Sequence, residues 1–343
     1  MLQERTRKSV QAVIGLFAAA ALLWAAFKDR PVAIGSGWRM TMGTIARIVV
    51  VTERPSDGLK AIEAAFEKIY DIEKRMSDYD PNSLLSKVNR EAFESPVEVD
   101  AELFEVLAAA VEYSRLSEGA FDITVGPVVQ IWRQARVTGA APAPQQLEAA
   151  KERVGYGNLI LDAQNRTVRF TKEGMFLDLG GIAKGYAVDK AVEILQKAGL
   201  RGGMVDIGGN IRCFGTPADG APHWLIGLQD PASDKNILAK LKLDNRAVAT
   251  SGDYRRFTII AGQKHSHIID PTTADSAQTL SSVTIIAPTA MQADALSTAV
   301  SVLGDKKGMP FIESLPDVEA ILIPRGEKPV FEKTAGAGRY LLD

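Results

Sequence analysis

The chain reads as an α+β protein, with mixed or antiparallel sheets and packed helices. Strand-like and helix-like segments come in clusters rather than in strict βαβ alternation, which disfavours a doubly wound parallel sheet. The glycine-rich strand-to-helix turn at 176–186 lacks the GxGxxG spacing of a dinucleotide-binding βαβ unit. Apolar residues make up 46% and charged residues 24% of 343 positions, the balance of a globular protein with a sizeable core.

The elements follow in order. Arg5, Arg7 and Lys8 precede a charge-free run from Ser9 to Phe27, closed by Lys28, Asp29 and Arg30. A basic start before an apolar stretch is the layout of a signal peptide or signal-anchor. The run has 19 residues, close to the ~20 that span hydrocarbon. Residues 1–30 are therefore expected to form an apolar helix that directs export, N-terminus in and body out. No small-x-small site follows, which favours a retained anchor over cleavage. Pro31, Gly35 and Gly37 mark 31–40 as a linker, and 41–335 is the expected globular domain.

Alternation over Thr44–Thr52 predicts a strand. Leu59, Ile62, Phe66, Ile69, Ile72 and Met76 recur at 3–4 spacing and predict a helix over 58–77. Asp100 is the expected N-cap of a helix over Ala101–Ser117. Residues 137–147, rich in proline and alanine, read as a connector. Short strands are expected at Leu159–Leu161, Val168–Phe170 and Met175–Leu179, then a helix over Ala183–Ala198 stopped by Gly202–Gly203. Further strands are expected at Gly203–Ile207, Trp224–Leu228, Ala247–Thr250, Phe257–Ala261, His267–Ile269 and Ser282–Ile286. Thr289 and Gly304 bracket a helix over Ala290–Leu303, and Val318–Pro324 reads as a closing strand.

Forty Lys+Arg against forty-two Asp+Glu leaves a net charge of −2. A dedicated nucleic-acid binder needs a basic surplus, so none is expected here. One cysteine, Cys213, excludes an intrachain disulfide and multi-cysteine metal sites. With three histidines, any metal must rely mostly on oxygen ligands, which points to a hard ion such as magnesium or calcium.

Four stretches could carry chemistry. Gly180-Gly181 sits between a strand-like run and a helix start, where free amides suit a phosphate and Lys184 adds a point charge. By spacing alone, a plain tight turn explains it equally well. Gly208-Gly209 inside Gly202–Asn210 reads as a ligand-facing turn or as a bulged edge strand. Asp294 and Thr298 share one helix face among Met291, Ala295, Leu296 and Ala299. A carboxylate in such company must be paired, hydrogen-bonded or bound to an ion. His267, three residues before Asp270, is placed either as a general base or as a packing residue.

Taken together, these stretches resemble the ApbE family of flavin transferases, from about Met42 to Gly304. The resemblance is carried in order by Met42-Gly43-Thr44, the segment from Arg75 to Asn89 with Tyr79, and Gly119–Pro127 with Asp122. It continues through Leu179–Asp189, Asp206–Asn210, Ser251–Tyr254, His267–Pro271 and Ala293–Thr298. One departure is visible after Pro271, where the family usually has Arg-Thr-Gly and this chain has Thr272-Thr273-Ala274.

The resemblance implies a T-fold-like domain and magnesium-dependent transfer of FMN from FAD to a protein threonine, with release of AMP. It implies that Asp294, Thr298 and the carbonyl of Ala183 hold Mg2+. It makes His267 the base, and it gives Met42, Tyr79, Asp122, Lys184, Gly208, Gly209, Ser251 and Asp270 to the FAD pocket. The implied partner is an acceptor protein with a threonine motif, a membrane redox subunit on the periplasmic side of the inner membrane. Hydrolysis of FAD to FMN and AMP, or flavin binding without catalysis, are the competing expectations.

Overall fold

A computed structural model describes residues 30–233, 235–252, 257–260, 262–326 and 331–342. The apolar run of the N-terminal segment lies outside the described residues, as do Asp253 and Tyr254. No helix among the described residues is long and apolar enough to cross a membrane.

The helices are α1 (Pro55–Met76), α2 (Leu84–Glu91), α3 (Ala101–Leu116), α4 (Gly126–Thr138), α5 (Pro144–Lys151), α6 (Ala183–Lys197) and α7 (Ala290–Glu313). The first strands are β1 (Val32–Gly35), β2 (Arg39–Thr41), β3 (Thr44–Thr52), β4 (Val97–Glu98), β5 (Leu159–Asp162) and β6 (Thr167–Phe170). Then come β7 (Gly202–Ile207), β8 (Asn210–Gly215), β9 (Trp224–Gln229), β10 (Ile237–Leu243) and β11 (Ala247–Gly252). The last are β12 (Phe257–Ile260), β13 (Gln263–Ser266), β14 (Leu280–Ala287), β15 (Glu319–Pro324) and β16 (Glu332–Lys333).

A nine-stranded sheet runs β1-β3-β7-β8-β11-β14-β15-β16, with β2 beside β1 on the edge of β3, and its neighbours are antiparallel. Alternation sorts the two faces. Ala46, Ile48 and Val50 of β3, with Val205 and Ile207 of β7, face α1 and α6, while Val283, Ile285 and Leu322 face α7. Cys213, Val248, Ile286 and Ile321 point the other way, onto the β9–β10 hairpin. Burying Ile62, Phe66, Ile69 and Ile72 of α1 contributes about 1.5–3 kcal/mol per side chain. Leu59 fits the same spacing yet stays exposed at the rim of the helix.

Four expected elements differ. Met175–Leu179 forms no ladder beyond one bridge from Phe176 to Val125. There the Asn89 side chain takes the main-chain groups of Leu177, accepting from its N–H at 2.7 Å and donating to its C=O at 3.1 Å. A side chain thus does the work of a neighbouring strand. The strand expected at His267–Ile269 does not form: β13 stops at Ser266, Ile269 makes only a single bridge to Ser276, and the Ser266 hydroxyl accepts from the Ile268 amide at 3.2 Å where the chain turns. The connector at 137–147 is mostly helical, with only 139–143 between α4 and α5. Residues 31–40 hold β1 and β2, which pair with β3, where proline and glycine suggested only a linker.

The two helices that frame the later site tie their starts together through carboxylates. Asp189 of α6 accepts the Ala290 and Met291 amides at the start of α7, both at 2.9 Å, and Arg212 of β8 at 2.7 Å. Burial pushes its carboxyl above the usual range, against the pull of Arg212 and those amides. Asp189→Ala leaves two helix-start amides and a guanidinium without this acceptor. The expected loss is about 3 kcal/mol, read as a lower urea midpoint with unchanged slope.

Candidate active site

The start of α6 has no side-chain cap of its own: Ile182 stands at its N-cap position. The turn before it is held by Asp178, whose Oδ1 accepts the Gly180 amide at 2.7 Å. The missing cap comes from α7. Asp294 Oδ2 accepts the Gly185 amide at 3.0 Å, so each helix supplies a carboxylate to the other's N-terminus. Gly185 makes this possible, since a Cβ there would lie 2.2 Å from the Ala290 carbonyl oxygen.

Asp294 is therefore paired as its apolar surroundings require. Its Oδ1 lies 3.4 Å from Lys184 Nζ, and that ammonium also donates to the Gly180 carbonyl at 2.6 Å. Thr298, one turn on, donates its hydroxyl to the Asp294 carbonyl at 3.3 Å. A Cβ on Gly181 would come within 2.9 Å of the same hydroxyl oxygen, so the glycine turn and α7 meet closely here. Ser251 of β11 reaches the cluster through Ser297, hydroxyl to hydroxyl at 2.8 Å, and Ser297 donates to the Asp294 carbonyl at 2.8 Å.

This junction opens into a cleft of about 1060 Å³, lined by Ala183, Lys184, Ser251, Asp294 and Thr298. Gly208 and Gly209 also line it at the β7–β8 turn, with φ of 61° and 92°. The Asp206 carboxylate accepts the Gly209 amide at 2.9 Å, and a Cβ on Gly208 would strike Thr44 at 2.7 Å. Beside them Asn210 is 4% exposed, and its Oδ1 is buried without a hydrogen-bond partner. Such an orphan on a cleft wall is a specific acceptor for a ligand N–H or O–H.

Met42, Tyr79, Asp122 and His267 line the same cleft. Met42 sits with φ 49° at the tip of the β2–β3 turn, where Glu73 accepts its amide at 2.7 Å. Asp122 is committed locally: its carboxylate accepts the Thr124 amide and hydroxyl, at 2.8 and 2.7 Å, and the Tyr156 amide at 2.8 Å. Burial still raises its carboxyl above the usual range. It shapes the loop that borders the cleft, and Oδ2, which accepts only the Tyr156 amide, keeps one lone pair. Asp270 does not line the cleft: its Oδ1 closes a turn by accepting the Thr272 amide at 2.7 Å. His265 is a packing residue, its ring 4.6 Å from that of Trp132.

Three residues of the wall escaped sequence reasoning: Arg133, Asp78 and Asp178. Arg133 of α4 pairs with Asp78 and donates to Asp178 at 2.6 Å. Burial, with Asp178 nearby, lifts the Asp78 carboxyl, and Arg133 opposes the rise. The helix carrying Arg133 was signalled by Pro127 and by Gly139, which ends it at φ 72°.

The donor set at the junction is one carboxylate, one hydroxyl and main-chain carbonyls. Among the described residues no three His, Cys, Asp or Glu side chains converge as a metal cage. A sparse all-oxygen set of this kind fits magnesium shared with substrate phosphates, because that ion keeps several ligands from water or phosphate. Lys184 suits an anionic diphosphate, and the glycine turns let it approach the backbone closely.

The sequence model of the ApbE family matches residues 42–322. A protein of Haemophilus influenzae named FAD:protein FMN transferase is 33% identical over 304 residues, 86% of each chain. Another of that name from Treponema pallidum is 34% identical over 299 residues, 83% of each. Among solved structures, the ApbE protein of Thermotoga maritima superposes with a TM-score of 0.82 at 33% identity, covering 91% of this chain and all of that one. The flavin transferase ApbE of Vibrio cholerae gives 0.80 at 29%, with the same coverage.

Proposed function

This chain belongs to the ApbE family, and from that premise we propose that it transfers FMN from FAD to a threonine side chain of an acceptor protein, releasing AMP. The observation that carries this reading is the junction of two helix starts, where Asp294, Lys184 and Thr298 face a cleft large enough for a dinucleotide. In the reaction the threonine oxygen bonds to the FMN-side phosphorus. The bridging P–O bond breaks, and the AMP phosphate leaves with its electron pair. His267, on the cleft wall, takes the hydroxyl proton as neutral imidazole. Lys184 holds the phosphates and spreads the developing charge, and the glycines at 180 and 181 let them approach the backbone closely.

Asp294, Thr298 and the Ala183 carbonyl would hold magnesium, which supplies charge neutralisation for a diphosphate and its leaving group. The basic flank and apolar run within residues 1–30 support export to the periplasmic side of the inner membrane. A membrane redox subunit facing that compartment is the acceptor this location favours.

The test incubates the protein with FAD, magnesium chloride and an acceptor bearing a threonine motif, then weighs the acceptor by mass spectrometry. One FMN added per AMP released is the expected result. AMP and free FMN with an unmodified acceptor indicate hydrolysis instead, and FAD bound without AMP indicates a carrier. His267→Ala is expected to slow transfer about 100-fold, with FAD affinity unchanged. An undiminished rate in that variant moves the base elsewhere.

A further inference from the structure

Arg133 joins parts of the cleft wall that are far apart in sequence. It projects from α4, which is seated by Gly126 so closely that a Cβ there would lie 2.3 Å from the Phe176 carbonyl oxygen. One arm of its guanidinium pairs with Asp78, beside Tyr79, and the other donates to Asp178 Oδ2 at 2.6 Å. The second oxygen of Asp178 holds the Gly180 amide at 2.7 Å. The guanidinium carbon also lies 4.2 Å from the Tyr79 ring centroid, and Tyr79 is 75% exposed. With a cation against one face, the other face of the ring is free to take a flat heterocycle.

We propose that Arg133 is a positioning residue for the dinucleotide: it fixes the Tyr79 ring relative to the Gly180–Gly181 turn, so that a ring system of FAD stacks on Tyr79 while the diphosphate meets the turn. The proposal rests on the functional reading above in naming FAD. Lysine cannot replace this arrangement, since a single ammonium lacks the planar fork that serves two carboxylates and the flat face that lies against an aromatic ring. It does keep the positive charge between Asp78 and Asp178, so a purely structural ion pair tolerates the exchange.

The experiment titrates the parent protein, Arg133→Lys, Tyr79→Leu and the double variant with FAD, FMN and ADP, with thermal melts alongside. Arg133→Lys is expected to melt within a few degrees of the parent and to bind FAD about tenfold more weakly. In turnover it raises KM for FAD with kcat nearly unchanged. The double variant binds FAD no more weakly than Tyr79→Leu, because both changes remove the same stack. Whichever of FMN or ADP shares the loss names the stacked ring. Equal FAD affinity in parent and Arg133→Lys, or additive losses in the double variant, overturns the proposal. Tyr79 is exposed, so its substitution spares the fold, and full FAD affinity in Tyr79→Leu overturns it independently. A parent protein that binds no FAD overturns the functional reading itself, a result distinct from the others.

Discussion

Asp294→Ala is expected to lower FMN transfer at least about a thousandfold, a barrier increase of roughly 4 kcal/mol. The residue is 3% exposed, on a helix whose neighbours Ala293, Ala295 and Leu296 are fully buried, so no nearby side chain can take over its charge. Its removal frees Lys184 from its carboxylate and leaves the Gly185 amide without an acceptor. The Lys184 side chain is 19% exposed and its ammonium can turn to water, so the fold survives with a loss of stability. Asp294→Asn retains an oxygen for the Gly185 amide but no charge, and it is expected to be nearly as inactive. Mass spectrometry of the acceptor reads the activity, and circular dichroism checks the fold. Full flavinylation by Asp294→Ala removes this residue from the chemistry.

Gly185→Ala is expected to destabilise the protein by about 3 kcal/mol or more, a fall in Tm of roughly 5–10 °C. Helix propensity alone predicts the opposite, a gain of about 1 kcal/mol for alanine over glycine. Sterics decide the sign. The new methyl would sit 2.2 Å from the Ala290 carbonyl oxygen, 2.6 Å from its carbon and 2.7 Å from Met291 Cα. These are backbone atoms that cannot swing aside, so α6 and α7 must part by about 1 Å or more to reach ordinary contact. That movement stretches the 3.0 Å bond from Gly185 to Asp294, so activity falls with stability. A Tm equal to or above the parent's contradicts the interlocked helix starts.

Much of the fold was legible because periodicity and caps are local. Thr44–Thr52 forms β3 over the span its alternation predicts. Asp100 and Thr289 accept the amides expected of N-caps, from Leu103 at 2.8 Å and Gln292 at 3.2 Å. Gly304 breaks the helical dihedrals with φ 72°, although helical bonding then resumes to Glu313. The strand expected at Met175–Leu179 was not legible as a loop, because its hydrogen-bond partner, Asn89, lies 88 residues away. Apolar alternation marks burial, and burial alone does not make a ladder.

The site divides in the same way. Asp294 was singled out because a carboxylate among apolar neighbours needs a partner, and its partners, Lys184 and the Gly185 amide, stand 110 and 109 positions earlier. Arg133 carries no such signal: an arginine on an amphipathic helix ordinarily faces water, and only tertiary packing turns it onto Asp178 and Tyr79. Ala274, where the family usually has glycine, takes φ 59° and is buried, its carbonyl accepting the Trp132 indole N–H at 2.9 Å. The backbone thus retains a glycine-like turn although the residue has changed.

The most direct measurement is a crystal structure of the protein grown with FAD and magnesium. The account predicts the diphosphate against the Gly180–Gly181 turn, with a divalent ion bridging it to Asp294 and Thr298. FAD bound away from this cleft, or bound there with Asp294 touching only Lys184 and the Gly185 amide, would contradict it.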